Sequence, residues 1–234
     1  MATRQCPASH PHPVGPIFDY VTRAGLGSLA LTSSYPQGPR GWFTQVANRS
    51  NQPQGVIIGT VCLSANARFA YPRVDNTVSD PPGYSNVGNF CPRSAPHAID
   101  NYFGLQSAAN AGSLLLADAF PFTGRADGFE TGMTNVASTP VFSFEGSVCT
   151  NLTSATNIFS YKVAAGTGTG FTAPCPRSTP VAVSGTFRTS KQPDDGNIAM
   201  DFTWPFARSG WAVGVTNLAH HTVKYVAGAV CVGQ

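Results

Sequence analysis

Few residues in this chain are equipped for proton transfer or nucleophilic attack. Its two glutamates, Glu130 and Glu145, lie near Asp127. Such a group could flank a glycosidic bond as the paired carboxyls of a glycosidase do, although isolated glutamates more commonly sit solvated on strands. His10-Pro-His12 and His220-His221 could capture a metal ion, but no carboxylate ligand accompanies either pair, and exposed turns account for both. His12 and His97 share an offset that Val181 occupies further on, so no repeated function can use them. Gly83-Tyr-Ser-Asn-Val-Gly88 is one residue too long for a nucleophile elbow, and Asp194-Asp195-Gly196 is a turn signature before it is a cation loop. This inventory assigns no catalytic residue, no cofactor and no metal, and the expected class is non-enzymatic.

The cysteines carry more information. Cys6-Pro7, Cys91-Pro92 and Cys175-Pro176 open three stretches in which Phe18, Phe103 and Phe187 lie 12 residues after the cysteine, and Tyr35-Pro36, Phe120-Pro121 and Trp204-Pro205 begin 29 residues after it. Each stretch continues through Gly41-Trp42, Gly128-Phe129 or Gly210-Trp211, then Asn48, Asn135 or Asn217, and closes on Val-Cys at Cys62, Cys149 or Cys231. The period is 85 and then 84 residues, with a two-residue insertion upstream of Phe129. A triplicated unit follows. Its regularity suggests pairing Cys6 with Cys62, Cys91 with Cys149 and Cys175 with Cys231. Each bridge would then stabilise the fold by about 4 kcal/mol through loop closure. Zinc is the rival use of six cysteines, but CxxC and finger-like Cys-His spacings are absent. Paired cysteines imply an oxidising compartment, hence an extracellular or particle-surface location.

Repeated aromatics are the candidate ligand-binding residues: Tyr35, Phe120 and Trp204 before proline, and Trp42, Phe129 and Trp211 after glycine. Such rings stack on sugars and anchor protein contacts, and three copies would act multivalently. Core packing competes with that role, because exchange among Trp, Phe and Tyr keeps bulk but not the indole donor.

Composition narrows the classes. Only 11% of residues are charged, and the formal charge of +3 comes from scattered Arg and Lys, so nucleic-acid binding has no footprint. No apolar run reaches the 18 or so residues needed to span a membrane. The first five residues contain no hydrophobic signal core, so export would require a removed leader or another route.

The elements that must position these residues read as strands. Val181–Phe187 and Ile198–Phe202 alternate with period two and predict half-buried strands; 211–217 and 223–232 predict two more. The 204–210 segment carries turn signals, and each repeated Asn suits a strand end, where it tolerates left-handed backbone and bonds its own turn. Phe159–Val163 and Gly170–Pro174 suggest a hairpin, and 107–119 has a weaker helical alternative that the repeat alignment overrules. Extra strands are expected between repeats, within 63–90 and 150–174, either as part of the following unit or as linkers.

The run Ala164-Ala-Gly-Thr167, Ala173-Pro-Cys-Pro176, Ser184-Gly185, Trp204-Pro205, Gly210-Trp211, Asn217 and Ala229-Val-Cys231 resembles the Cys-Pro...Gly-Trp...Asn...Val-Cys repeats of secreted, disulfide-bonded β proteins from actinobacteria and other high-GC bacteria. The resemblance implies export and a small β unit, with no activity attached.

The expected fold is therefore all-β: three homologous disulfide-closed units of about 60–85 residues (1–72, 73–157 and 158–234), arranged as a pseudo-three-fold prism or barrel or as tandem β sandwiches. The expected function is extracellular recognition or adhesion through three equivalent surfaces, with a glycan or a cell-surface protein as partner. The alternative is a structural subunit of a fibre, shell or virus-like particle, in which case the partner is another copy. Apolar patches on the outer strands would mark that alternative.

Overall fold

The computed structural model describes residues 1–21, 26–64, 66–79, 83–107, 112–122, 127–190, 194–207 and 209–233. Its regular elements are all β-strands. Repeat one supplies β1 (Ala2–Gln5), β2 (His12–Tyr20), β3 (Leu29–Gln37), β4 (Gly41–Asn48) and β5 (Val56–Leu63). β6 (Phe69–Ala70) comes next, β7 (Arg73–Ser79) opens the 73–157 segment, and the five-strand unit of repeat two follows as β8 (Gly83–Phe90), β9 (His97–Leu105), β10 (Leu114–Pro121), β11 (Gly128–Asn135) and β12 (Val141–Thr150). β13 (Ser154–Val163) straddles the 157/158 boundary, and the five-strand unit of repeat three follows as β14 (Gly168–Pro174), β15 (Val181–Thr189), β16 (Ile198–Pro205), β17 (Gly210–Asn217) and β18 (Val223–Val232). β10 occupies the end of the window with the helical alternative; residues 108–111 of that window lie outside the described residues, as does Arg208 of the 204–210 turn segment.

The repeats interlock. Sheet one runs β1-β4-β3-β9-β12, with β6 and β7 both on β12; sheet two runs β8-β11-β10-β15-β18-β13; sheet three runs β14-β17-β16-β2-β5. Each sheet takes three core strands from one repeat and two from the next, with repeat three returning to repeat one. The arrangement is a three-sheet prism, neither a closed barrel nor tandem sandwiches. The period boundaries at 72/73 and 157/158 therefore do not delimit separate bodies, and the second falls inside β13. At each seam one residue pair joins the repeats: Ser34 with Phe103, Ala119 with Phe187, Thr203 with Phe18. The repeated phenylalanine is thus a seam residue, and all three copies are buried.

Two β-bulges recur in every unit, at Val14, Ile99 and Val183 and at Thr32, Ala117 and Asp201. A bulge bends its strand and re-aims its side chains. All of these residues are buried, and around the pseudo-three-fold axis the equivalents Ala30, Leu115 and Ala199 form their own cluster. Crowding there is severe: a Cβ on Gly15 would lie 2.1 Å from Asp100 Oδ2, and Ser184 Oγ donates to the Ile99 carbonyl at 2.7 Å. The middle of β15 is buried on both faces rather than half-buried as the alternation predicts, because β17 packs on its second face, where a Cβ on Gly185 would strike Trp211 and Val213.

The three disulfides pair as the repeat suggests: Cys6–Cys62, Cys91–Cys149 and Cys175–Cys231, spanning 56, 58 and 56 residues. The repeated asparagines brace their own turns in the same way. Asn48 Nδ2 donates to the Gln52 carbonyl, Asn135 to Thr139 and Asn217 to His221, at 2.7, 2.9 and 2.7 Å, while each Oδ1 accepts the N–H two residues on. None of them adopts left-handed backbone; among the described non-glycine residues only Ala207 has positive φ. β13 and β14 do not form the expected hairpin. β13 pairs with β18 and β14 with β17, so the turn between them crosses from one sheet to the next.

Candidate functional site

The expected ligand-binding aromatics are mostly inside. Trp42, Phe129 and Trp211 are at most 1% exposed and Phe120 is 3% exposed, so none offers a ring face to a ligand. Trp42 Nε1 donates to Ser34 Oγ at 2.8 Å and Trp211 Nε1 to Thr203 Oγ1 at 2.6 Å. Repeat two has Phe129 in place of the indole, and Ala119 in place of the hydroxyl. A buried indole N–H requires an acceptor, whereas a benzyl group requires none. The paired change Trp–Ser, Phe–Ala, Trp–Thr was available in the sequence as a sign of burial. Tyr35 and Trp204 are half-buried; the Tyr35 ring packs on Phe43 and Phe144, with centroids 4.8 and 5.2 Å away.

Glu145 does not meet the other two carboxylates of the possible glycosidase-like group, and it is buried rather than solvated. Glu145 is buried on β12 of sheet one and accepts from Ser143, whereas Glu130 stands on β11 of sheet two and Asp127 in the turn before it. Among the histidines, His12 stacks on Phe69 at 4.5 Å, and burial lowers its pKa. His221 Nε2 lies 2.7 Å from Asp194. Among the described residues no three His, Cys, Asp or Glu side chains converge as metal ligands would.

A different polar group does converge, on sheet two. An open cleft of about 250 Å³ is lined by Tyr84, Asn86, Asp118, Glu130, Arg188 and Asp195, together with Thr189 and Ser190. Asp118 and Glu130 share a face because Asp118 pairs with Gly132 and Phe120 with Glu130 across β10 and β11. The Asn86 amide donates to Glu130, the Arg188 guanidinium lies 3.8 Å from Glu130 and stacks 4.1 Å over Phe120, and Thr189 donates to Asp195. Asp118 is 5% exposed; its Oδ2 accepts weakly from Tyr84 at 3.4 Å, and its Oδ1 has no partner. Burial above all, then the charges of Glu130 and Asp195, holds its pKa well above the ordinary carboxylate value, against the opposing pull of Arg188. The cleft belongs to one sheet only: Ser33 and Phe202 stand where Asp118 does, Phe43 and Ala212 where Glu130 does, and Asp19 and Gly104 where Arg188 does. Sequence reasoning missed it because these residues come from four strands and a loop that only the interlocked sheet assembles.

Of the large apolar side chains exposed among the described residues, Val21, Leu26, Val136 and Phe206 lie in turns or loops, Met1 at the terminus and Phe142 on the interior strand β12, while five lie on border strands. Ile57 lies on β5, Val74 on β7, Phe90 on β8, and Ile158 and Phe159 on β13, at exposures from 37% to 52%. All four strands border their sheets.

Compared with known proteins, the chain matches no protein-family model and no curated protein sequence. No helix among the described residues is long and apolar enough to cross a membrane.

Proposed function

We propose that the chain is a non-catalytic extracellular subunit that assembles laterally through its sheet edges. One observation carries this reading: five large apolar side chains are exposed on border strands, while four of the six repeated aromatics are withdrawn into the core and the other two are half-buried. Exposed apolar edges are a liability unless something pairs with them. Three intrachain disulfides and the sparse charge support an extracellular setting. The test is the solution mass of the non-reduced protein at micromolar concentration, by size-exclusion chromatography with light scattering. The reading expects a species well above 24.5 kDa, and a single monomer peak at every concentration rejects it.

Recognition remains as a second reading, moved from the aromatics to the sheet-two cleft. The unpartnered Oδ1 of buried Asp118, among an amide, a guanidinium and two further carboxylates, is suited to the hydroxyls of a glycan. A glycan array with the wild type and Glu130→Gln tests it: a hit that the substitution weakens supports the cleft, and release of reducing sugar would make the site hydrolytic instead. Trp42→Ala, by contrast, is expected to cost about 3–5 kcal/mol of stability, as core truncations do.

A further inference from the structure

Internal symmetry singles out one border strand. β12 is covered on its far side by β6 and β7, and β18 by β13; β5 is their equivalent in repeat one, and among the described residues no strand pairs with its far side. The covering strands β7 and β13 immediately precede the first strands of repeats two and three. The corner at β5 has not collapsed to fill the space: β1 neighbours β5 as β8 neighbours β12 and β14 neighbours β18.

The edge is also suited to pairing. Arg4 Nε donates to the Ile58 carbonyl at 2.9 Å, so that carbonyl points away from β2. In a strand, the N–H and C=O of one residue face the same side, so Val56, Ile58 and Thr60 turn both groups to the open edge. Val56–Leu63 contains no charged residue and no proline, the two devices that commonly blunt an edge. Among the described residues, the Arg4 side chain reaches over it.

We propose that β5 pairs antiparallel with β5 of a second copy of this chain, about a two-fold axis at Ile58. An antiparallel strand pair of identical sequence is self-complementary and closes after two copies. This register sets Val56 opposite Thr60 of the second copy and joins two copies of sheet three into one continuous sheet. Arg4 then releases the Ile58 carbonyl. The inference rests on the lateral-assembly reading and names one of its contacts.

The experiment combines solution mass with amide exchange on the intact, oxidised chain across a concentration series. Exchange at Ile58 and Thr60 slows about ten-fold or more as the mass rises. Ile57→Lys places a charge on an exposed side chain opposite Asp19, and weakens association about ten-fold or more. Ile58→Pro removes an outward donor while leaving the β2 ladder intact, and does the same. Arg4→Ala frees the carbonyl and tightens association. A multimer whose β5 exchange and Ile57→Lys behaviour are unchanged overturns the β5 pairing alone. A wild type that stays monomeric overturns both the pairing and the assembly reading.

Discussion

β5 and β12 descend from the same position in the repeat, yet they live in different environments. β12 is buried at every residue except Phe142, whereas no residue of β5 is fully buried, and β18 behaves like β12. Their sequences do not explain the contrast. All three end in Val-Cys, all three cysteines are bridged, and all three strands pair with the second strand of their own repeat. What differs is the neighbour: among the described residues two of them have a covering strand and one does not. Burial in this fold is therefore a property of what the corner holds, and equivalent residues can be core in one unit and border in another.

Removing the bridges tests the contrast most forcefully. The closed loops are nearly equal, so Cys91→Ala/Cys149→Ala and Cys6→Ala/Cys62→Ala each lose about 4 kcal/mol in urea titrations if both strands are equally fixed in the native state. A much smaller loss at Cys6–Cys62 would show that β5 already frays. The valines before the closing cysteines give a sharper comparison. Val148→Ala and Val230→Ala each cost about 2 kcal/mol, and half-buried Val61→Ala costs about half as much, read from the same titrations.

A pH series separates the axis and sheet two from the rest. Burial raises the pKa of Asp100 and Asp118 well above 3.8. As pH climbs past that value, the unfolded chain releases protons that the folded chain keeps, so stability falls until the folded pKa is passed. Asp100→Asn should match the wild type in strong acid and exceed it at neutral pH, and Asp118→Asn should do so by a smaller margin because Arg188 already offsets part of its cost. Equal urea midpoints for Asp100→Asn and the wild type across the range would remove the buried-charge account. The smallest effect is in hydrogen exchange at low protein concentration, where the outward amides of β5 should exchange faster than any inward amide of β12.

Some of the design was legible before any coordinates. The disulfide pairing followed from where each repeat opens and closes, because a bridge that recurs without crossing is the simplest use of six evenly placed cysteines. The turn-bracing role of Asn48, Asn135 and Asn217 followed from side-chain chemistry that acts within four residues. The Trp–Ser, Phe–Ala, Trp–Thr exchange was also present in the sequence, and it would have moved Trp42, Phe129 and Trp211 into the core. The hairpin expected of β13 and β14 failed for a different reason. A short Gly-containing turn allows strands to pair but does not oblige them to, and each pairs along its whole length with a strand of a different sheet, β13 with β18 and β14 with β17.

The sequence by itself determined the triplication, the all-β character, the three bridges and the residues that shape each turn, because these depend on local chemistry or on repetition along the chain. Tertiary structure alone decided that each sheet takes strands from two successive repeats, that Asp118, Glu130, Arg188 and Asp195 meet in one cleft, and that no described strand covers β5. Those outcomes depend on which backbone edges and apolar faces meet across the whole chain. Three homologous units must share one axis, and only the assembled prism determines which strand each edge receives.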